Sequence, residues 1–360
     1  MGIEGTGKGL RLSVLDQSPV AEGSTPAEAL QRSIGLARRV DELGYTRFWM
    51  SEHHAMDLLA CTAPEVMLAR IGAETKRIRI GSGGIMLPHY TSLKVAEVFR
   101  TLHALYPGRV DLGIGRAPGG GPIEAAALRR NRKVQPVDDF PEQVTELLAF
   151  LDKDFPVGHP FGQVRVAPDS PGEPDVWMLG SSLWSSAAAV EFGLPYAFAH
   201  FFSPVATREA ISRYQRGFRP GVRREKAEAT VAVGVICAET QEEAEYLHSS
   251  VRLLQRRIRA NDRRPVAAPE EALRELREWG ETSAEDARRM EEGEWPRYFV
   301  GTAERVREEL TEMARELEIG EVIVNTIVWD HRKRLRSYEL LGEAFGIGEG
   351  AGLREAAIAG

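Results

Sequence analysis

The sequence predicts an α/β fold: a (β/α)8 barrel, the TIM-barrel arrangement, with insertions after the fourth and seventh strands. Short apolar runs alternate with amphipathic helical stretches along the whole chain, the pattern of a parallel sheet wrapped by helices. Eight such runs can be counted, and several are apolar almost throughout, as strands covered on both faces are. The first strand-to-helix connection, Gln17-Ser18-Pro19-Val20, lacks the glycine-rich turn of a doubly wound dinucleotide fold.

The first strand is Leu10 to Asp16, and its helix opens at Thr25-Pro26-Ala27-Glu28. Thr25 can cap, Pro26 suits the first helical position, and Glu28 completes a capping box. Leu30, Ile34, Ala37 and Leu43 then share one face, and Gly44 ends the helix. Arg47 to Glu52 is the second strand, and Thr62-Ala63-Pro64-Glu65 repeats the capping signal for a helix to about Thr75. Ile78 to Leu87 and Arg109 to Gly115 are strands three and four, with a helix from about Thr91 between them. Asp175 to Gly180, Tyr196 to Phe202, Thr230 to Ala238 and Glu321 to Ile327 complete the eight. The first insertion, Arg116 to Pro174, contains Gly119-Gly120-Gly121 and a helix near Pro141 to Leu151. The second, residues 257–296, is highly charged and is the candidate lid, because long loops at the carboxyl ends of barrel strands border the active site. A single domain spanning 10–348 is expected.

Composition narrows the function. A net charge of −7, with arginines interspersed among glutamates, gives no basic stripe for nucleic acid or acidic lipid. Only two cysteines, Cys61 and Cys237, rule out a disulfide framework and fit a reducing compartment. No apolar run reaches the roughly 20 residues of a membrane span, and the N-terminus lacks a secretory core. A cytoplasmic enzyme acting on a small molecule is the expectation.

Barrel chemistry sits where strands end. Strand two ends in Glu52-His53-His54, strand three carries Gly83-Gly84 and ends near His89, strand four ends at Arg116, and strand five ends in Gly180-Ser181-Ser182. His200, Asn325 and His331 lie at or beyond later strand ends. Adjacent strand residues point to opposite faces, so His53 and His54 are not expected to serve one centre. One can carry a proton; both can equally be polar scaffold. Glu52, His53, His89 and His200 could in principle supply the three ligands of a zinc site. The helix start after Ser181, with Ser182 and Ser185, offers hydroxyls and free N–H groups for phosphate, and Arg116 adds a cation. Gly83-Gly84 inside a strand marks either a β-bulge or a close approach by a flat ligand.

Four blocks together resemble the bacterial luciferase-like flavin monooxygenase superfamily, over about Leu10 to Gly348. They are Ser51-Glu52-His53-His54, Gly81 to Pro88, Gly108 to Arg116, and Gly193-Leu194-Pro195. Asp138 to Gln143 and His331 to Leu341 resemble its small-molecule and antibiotic-tailoring monooxygenases. The resemblance implies reduced FMN as cosubstrate and O2 as oxidant, no metal, a homodimer, and a separate NAD(P)H–flavin reductase. It makes His53 the catalytic histidine and candidate general base, with Glu52 beside the flavin or supporting the fold. It places Gly83-Gly84 as a non-prolyl cis peptide beneath the flavin ring. Arg116, Gly180, Ser181 and Ser185 become the phosphate site, with Gly180 standing where the family has an acidic residue. A deazaflavin-dependent hydride-transfer enzyme of the same superfamily, or a flavin carrier without turnover, is the alternative.

Overall fold

The computed structural model describes residues 9–128, 138–221, 223–281 and 295–347. Its strands are β1 (Arg11–Asp16), β2 (Arg47–Met50), β3 (Arg79–Met86), β4 (Val110–Gly115), β5 (Asp175–Gly180), β6 (Tyr196–Ala199), β7 (Ala229–Cys237), β8 (Tyr298–Gly301) and β9 (Glu321–Asn325). The helices are α1 (Pro26–Leu43), α2 (Pro64–Glu74), α3 (Ser92–Leu105), α4 (Pro122–Leu128), α5 (Phe140–Asp152), α6 (Leu183–Glu191), α7 (Thr207–Gly217), α8 (Gln241–Arg259), α9 (Pro269–Glu278), α10 (Ala303–Glu316) and α11 (His331–Ala344). Strands β1 to β7 pair in sequence order, β7 pairs with β9, and β9 returns to β1, all in parallel. Eight strands therefore close a barrel, as the alternating sequence predicts.

The ninth strand, β8, is absent from the sequence prediction. Four residues of Tyr-Phe-Val-Gly beside a charged stretch are too short to separate from the helix that follows. β6 stops opposite Ala232, and β8 takes up β7 from Gly234 to Cys237. The donors agree: Phe201 N–H bonds Ala232 O, and Gly234 N–H bonds Arg297 O. Because β7 is nine residues long, it outruns β6, and β8 is wedged beside it at the barrel mouth. Gly234 leaves room for this, since a Cβ there would meet the Tyr298 ring at 2.3 Å.

Local signals explain most helix starts. At α1, Thr25 Oγ1 accepts from Glu28 N–H at 3.2 Å, and Glu28 Oε2 accepts from Thr25 N–H at 2.9 Å. Gly44 closes the helix with φ 91°. The same signal misleads at α2, whose cap residue is Ala63 with no side-chain bond. Pro64 fixes the first helical position there, so Thr62 falls one residue short of the cap.

Inside the barrel, Leu15, Trp49, Trp177, Ala197, Ala232 and Ile323 pack together, with the two indoles edge to face at 5.4 Å. The floor is charged. Arg47 bonds Asp111 at 3.0 Å and Glu321 at 2.8 Å, and Trp49 Nε1–H bonds Asp111 at 2.9 Å. These groups lie at the amino ends of β2, β4 and β9, opposite the face that carries chemistry.

The described part of the second predicted insertion is anchored. Buried Arg257 bonds Glu275 of α9 at 2.6 Å and Glu22 at 2.8 Å. Val266 N–H bonds Val20 O, and Glu22 N–H bonds Val266 O, each at 2.8 Å. Residues 282–294 of that stretch, 129–137 of the first, and the expected boundary at Gly348 lie outside the described residues. Among the described residues no helix is long and apolar enough to cross a membrane.

Candidate active site

Where β2 ends, Glu52 turns inward and is wholly buried. Its Oε1 accepts from His54 Nε2–H at 2.7 Å and from the Tyr90 hydroxyl at 2.9 Å; its Oε2 accepts from Met86 N–H at 2.8 Å. A buried carboxylate needs such donors. These donors come from the ends of β2 and β3, so Glu52 ties those ends together. The loop after β4 joins them: His54 N–H bonds Gly119 O, and His89 Nε2–H bonds Pro118 O, both at 2.8 Å. His54 is thus occupied by scaffold.

His53 is placed differently. Its N–H bonds Cys61 O at 3.0 Å, and its Nδ1 lies 3.1 Å from Ser51 Oγ. The ring keeps some exposure, and among the described residues its Nε2 has no protein partner. Burial, helped by repulsion from His54, pushes its pKa down to about 4, so the imidazole is neutral at pH 7. Burial does the same to His200 and His331, each brought down to about 4. This has a consequence for stability. The unfolded histidines, near 6.5, take protons before the folded ones do. Their contribution is therefore complete above about pH 6.5 and is lost as pH falls towards 4. The urea midpoint at pH 5 is expected to lie below that at pH 7; equal midpoints would contradict it.

The Gly83–Gly84 peptide bond is cis. A Cβ on Gly83 would meet Leu15 Cδ1 at 2.6 Å, and one on Gly84 would meet Gly113 O at 2.8 Å. The β3–β4 register also shifts between Gly83 and Ile85. Bulge and close packing therefore coincide, and they leave a strip of barrel wall without side chains.

Arg116, at the end of β4, lies 4.5 Å over the Trp184 ring and pairs with Asp138. Trp184 is the second residue of α6, so the guanidinium sits beside that helix's N-terminus, where Ser182 and Ser185 form a capping box. Ser181 is partly exposed there. Ser185 is not available in the same way. Its hydroxyl donates to Ser182 O at 2.7 Å and lies 2.9 Å from Tyr196 Oη, beneath the first turn. Gly180 permits this, because a Cβ at that position would meet Ser185 Oγ at 2.3 Å. Glycine at this position is thus a packing requirement.

The remaining candidates disperse. His200 is buried between Thr207 Oγ1 at 2.7 Å and Pro296 O at 3.0 Å. Asn325 donates to Leu15 O at 3.0 Å, while its Oδ1 is buried without a partner. His331 opens α11. The four residues considered for zinc do not converge, and no group of His, Cys, Asp or Glu suited to a metal occurs among the described residues. Sequence reasoning gave no role to Ser51, Tyr90 or Trp184. Ser51 and Tyr90 adjoin residues it singled out, but nothing in their spacing marks the bonds they make.

Comparison with known proteins decides the family. The family model described as Luciferase-like monooxygenase matches residues 10–319. The chain belongs to the luciferase-like monooxygenase family. It is 43% identical to the uncharacterized protein YwcH of Bacillus subtilis, over 93% of this chain and 98% of that one. It is 37% identical to the N-acetyl-S-alkylcysteine monooxygenase of the same organism, over 93% and 98%. The crystal structure of apo-MsnO8 superposes with a TM-score of 0.86 at 46% identity, over 94% of this chain and 98% of that one. More distant structures share the fold alone. One is the oxygenating constituent of 3,6-diketocamphane monooxygenase from Pseudomonas putida, solved with FMN (TM-score 0.69, 18% identity, 93% and 98% covered). Another is an F420-dependent secondary alcohol dehydrogenase (TM-score 0.65, 16% identity, 94% and 99% covered). As a member of this family the chain is an oxidoreductase of the monooxygenase type.

Proposed function

We propose that this chain is a flavin-dependent monooxygenase that uses reduced FMN and O2 to oxygenate a small organic molecule. The observation that carries the reading is Arg116 stacked on Trp184 at the start of α6. A cation beside a helix N-terminus suits a phosphate dianion. Arg116, Ser181 and the first turn of α6 would hold the phosphate, and the flat ring would lie near Gly83 and Gly84. Bound reduced flavin would supply the electrons that activate O2. The chain's own part is to exclude water with Leu15, Trp49, Leu179 and Phe201, and to present His53 as a neutral polar group. Glu52 acts through the scaffold.

The test is a comparison of FMN with riboflavin. Arg116→Ala is expected to weaken FMN roughly 10- to 100-fold, the worth of a charged hydrogen bond, and to leave riboflavin affinity unchanged. Fluorescence titration checks it; equal losses for both ligands would remove Arg116 from the phosphate site. A deazaflavin enzyme is the second reading, favoured only by fold likeness to the F420-dependent dehydrogenase. The relative acting on N-acetyl-S-alkylcysteine makes a thioether the first substrate class to try. As the resemblance to flavin monooxygenases implies, the chain would receive its flavin reduced by a separate NAD(P)H–flavin reductase. A cytoplasmic homodimer belongs to the same proposal.

A further inference from the structure

We propose that Ser51 is a positioning residue that fixes the proton of neutral His53 on Nε2, so that His53 meets its ligand as a hydrogen-bond donor and not as a base. The inference refines the role given to His53 in the flavin reading, but its geometry belongs to the protein alone. Ser51 is buried, at 3% exposure, and its Oγ lies 3.1 Å from His53 Nδ1. Among the described residues that hydroxyl has no other partner.

Two arrangements fit the distance. If Nδ1 carried the proton and donated to Ser51 Oγ, the serine's own proton would be buried with no acceptor. If Ser51 donates to Nδ1, its proton is satisfied, and the oxygen's spare lone pairs cost less than a stranded donor. A stranded buried donor is worth about tenfold or more in a two-state equilibrium. The second arrangement therefore dominates. A neutral imidazole with Nδ1 as acceptor carries its hydrogen on Nε2. That nitrogen has no protein partner among the described residues, so the hydrogen is available to whatever enters the barrel mouth. A donor aimed where negative charge develops stabilises it without moving a proton in the resting state.

His54, one residue on, has the opposite fate. Its Nε2–H is spent on Glu52 at 2.7 Å, and that contact supports the scaffold. The pair of histidines thus divides into one whose donor is consumed and one whose donor is kept free. Ser51 is what keeps it so.

The test is nitrogen-15 NMR of ring-labelled histidine in the full chain at pH 7 without flavin, with His53→Gln to assign the signal. Wild type is expected to show His53 Nε2 protonated and Nδ1 bare, by about tenfold or more. Ser51→Ala is expected to bring the two tautomers towards equal population, and Ser51→Thr, which keeps the hydroxyl, to restore the bias. Should Ser51→Ala fold poorly, Ser51→Cys, whose thiol is a weak donor, is expected to show the same loss of bias. A protonated Nδ1, or a bias unchanged in Ser51→Ala, would overturn the proposal. A parallel FMN titration separates the two readings: failure to bind FMN would count against the flavin function and leave the tautomer result standing.

Discussion

His53→Leu is expected to lower the rate of substrate oxygenation about 10²- to 10³-fold while leaving FMN affinity within about twofold of wild type. Leucine fills a similar volume but removes the Nε2–H, a donor that no described residue of the scaffold uses. The neighbouring groups are engaged: Glu52 by His54, Tyr90 and Met86, and His89 Nε2–H by Pro118 O. The donors of His54 and His89 are therefore committed to the scaffold. His53→Gln, whose amide can donate from nearly the same place, is expected to retain more activity than His53→Leu. Single-turnover mixing of reduced flavin, substrate and O2 reads both. Unchanged rates in His53→Leu would remove the residue from the chemistry.

The second large effect concerns stability. Arg47→Met is expected to cost about 3 kcal/mol, the lower end of the range for breaking a buried ion pair. Arg47 and its partners Asp111 and Glu321 are all buried, at 5%, 0% and 2% exposure. Removing the guanidinium takes one cation from two buried carboxylates in the barrel floor. The cost stays at the lower end because Asp111 keeps Arg79 and Trp49 Nε1–H, and Glu321 keeps Ser13 Oγ–H at 2.6 Å. The shift in urea midpoint measures this, and adding Glu321→Gln to the same chain should recover part of the loss. A change below about 1 kcal/mol would mean that the network is solvated like a surface pair. Activity at low temperature should survive the substitution, since the floor lies at the strand ends remote from His53.

Most of the barrel was legible because its signals are local. Capping at Thr25 and the continuous apolar runs are read within a few residues. β8 was not legible, because its existence depends on β7 outrunning β6, a matter of relative strand length. The α2 start was misread for a related reason: two signals competed, and Pro64 outweighed Thr62. At the site, the sequence could pick out Glu52, His53, Gly83, Gly84, Arg116 and Ser181 as groups at strand ends. It could not see that Gly180 is bare because Ser185 folds back over it, nor that Ser185 bonds Ser182 and the Tyr196 hydroxyl. Those facts are side-chain geometry across elements, and no spacing in the chain records them. The division between His53 and His54 was foreshadowed by strand alternation, but which of them would be spent required Glu52's position.

The central claim is tested most directly by labelled oxygen. The protein, supplied with FMN, an NADH-driven flavin reductase and a small thioether or aldehyde under ¹⁸O2, is expected to place one labelled atom in the product, with turnover abolished when FMN is omitted. Anaerobic oxidation of an alcohol with reduction of a deazaflavin, and no label in any product, would contradict it.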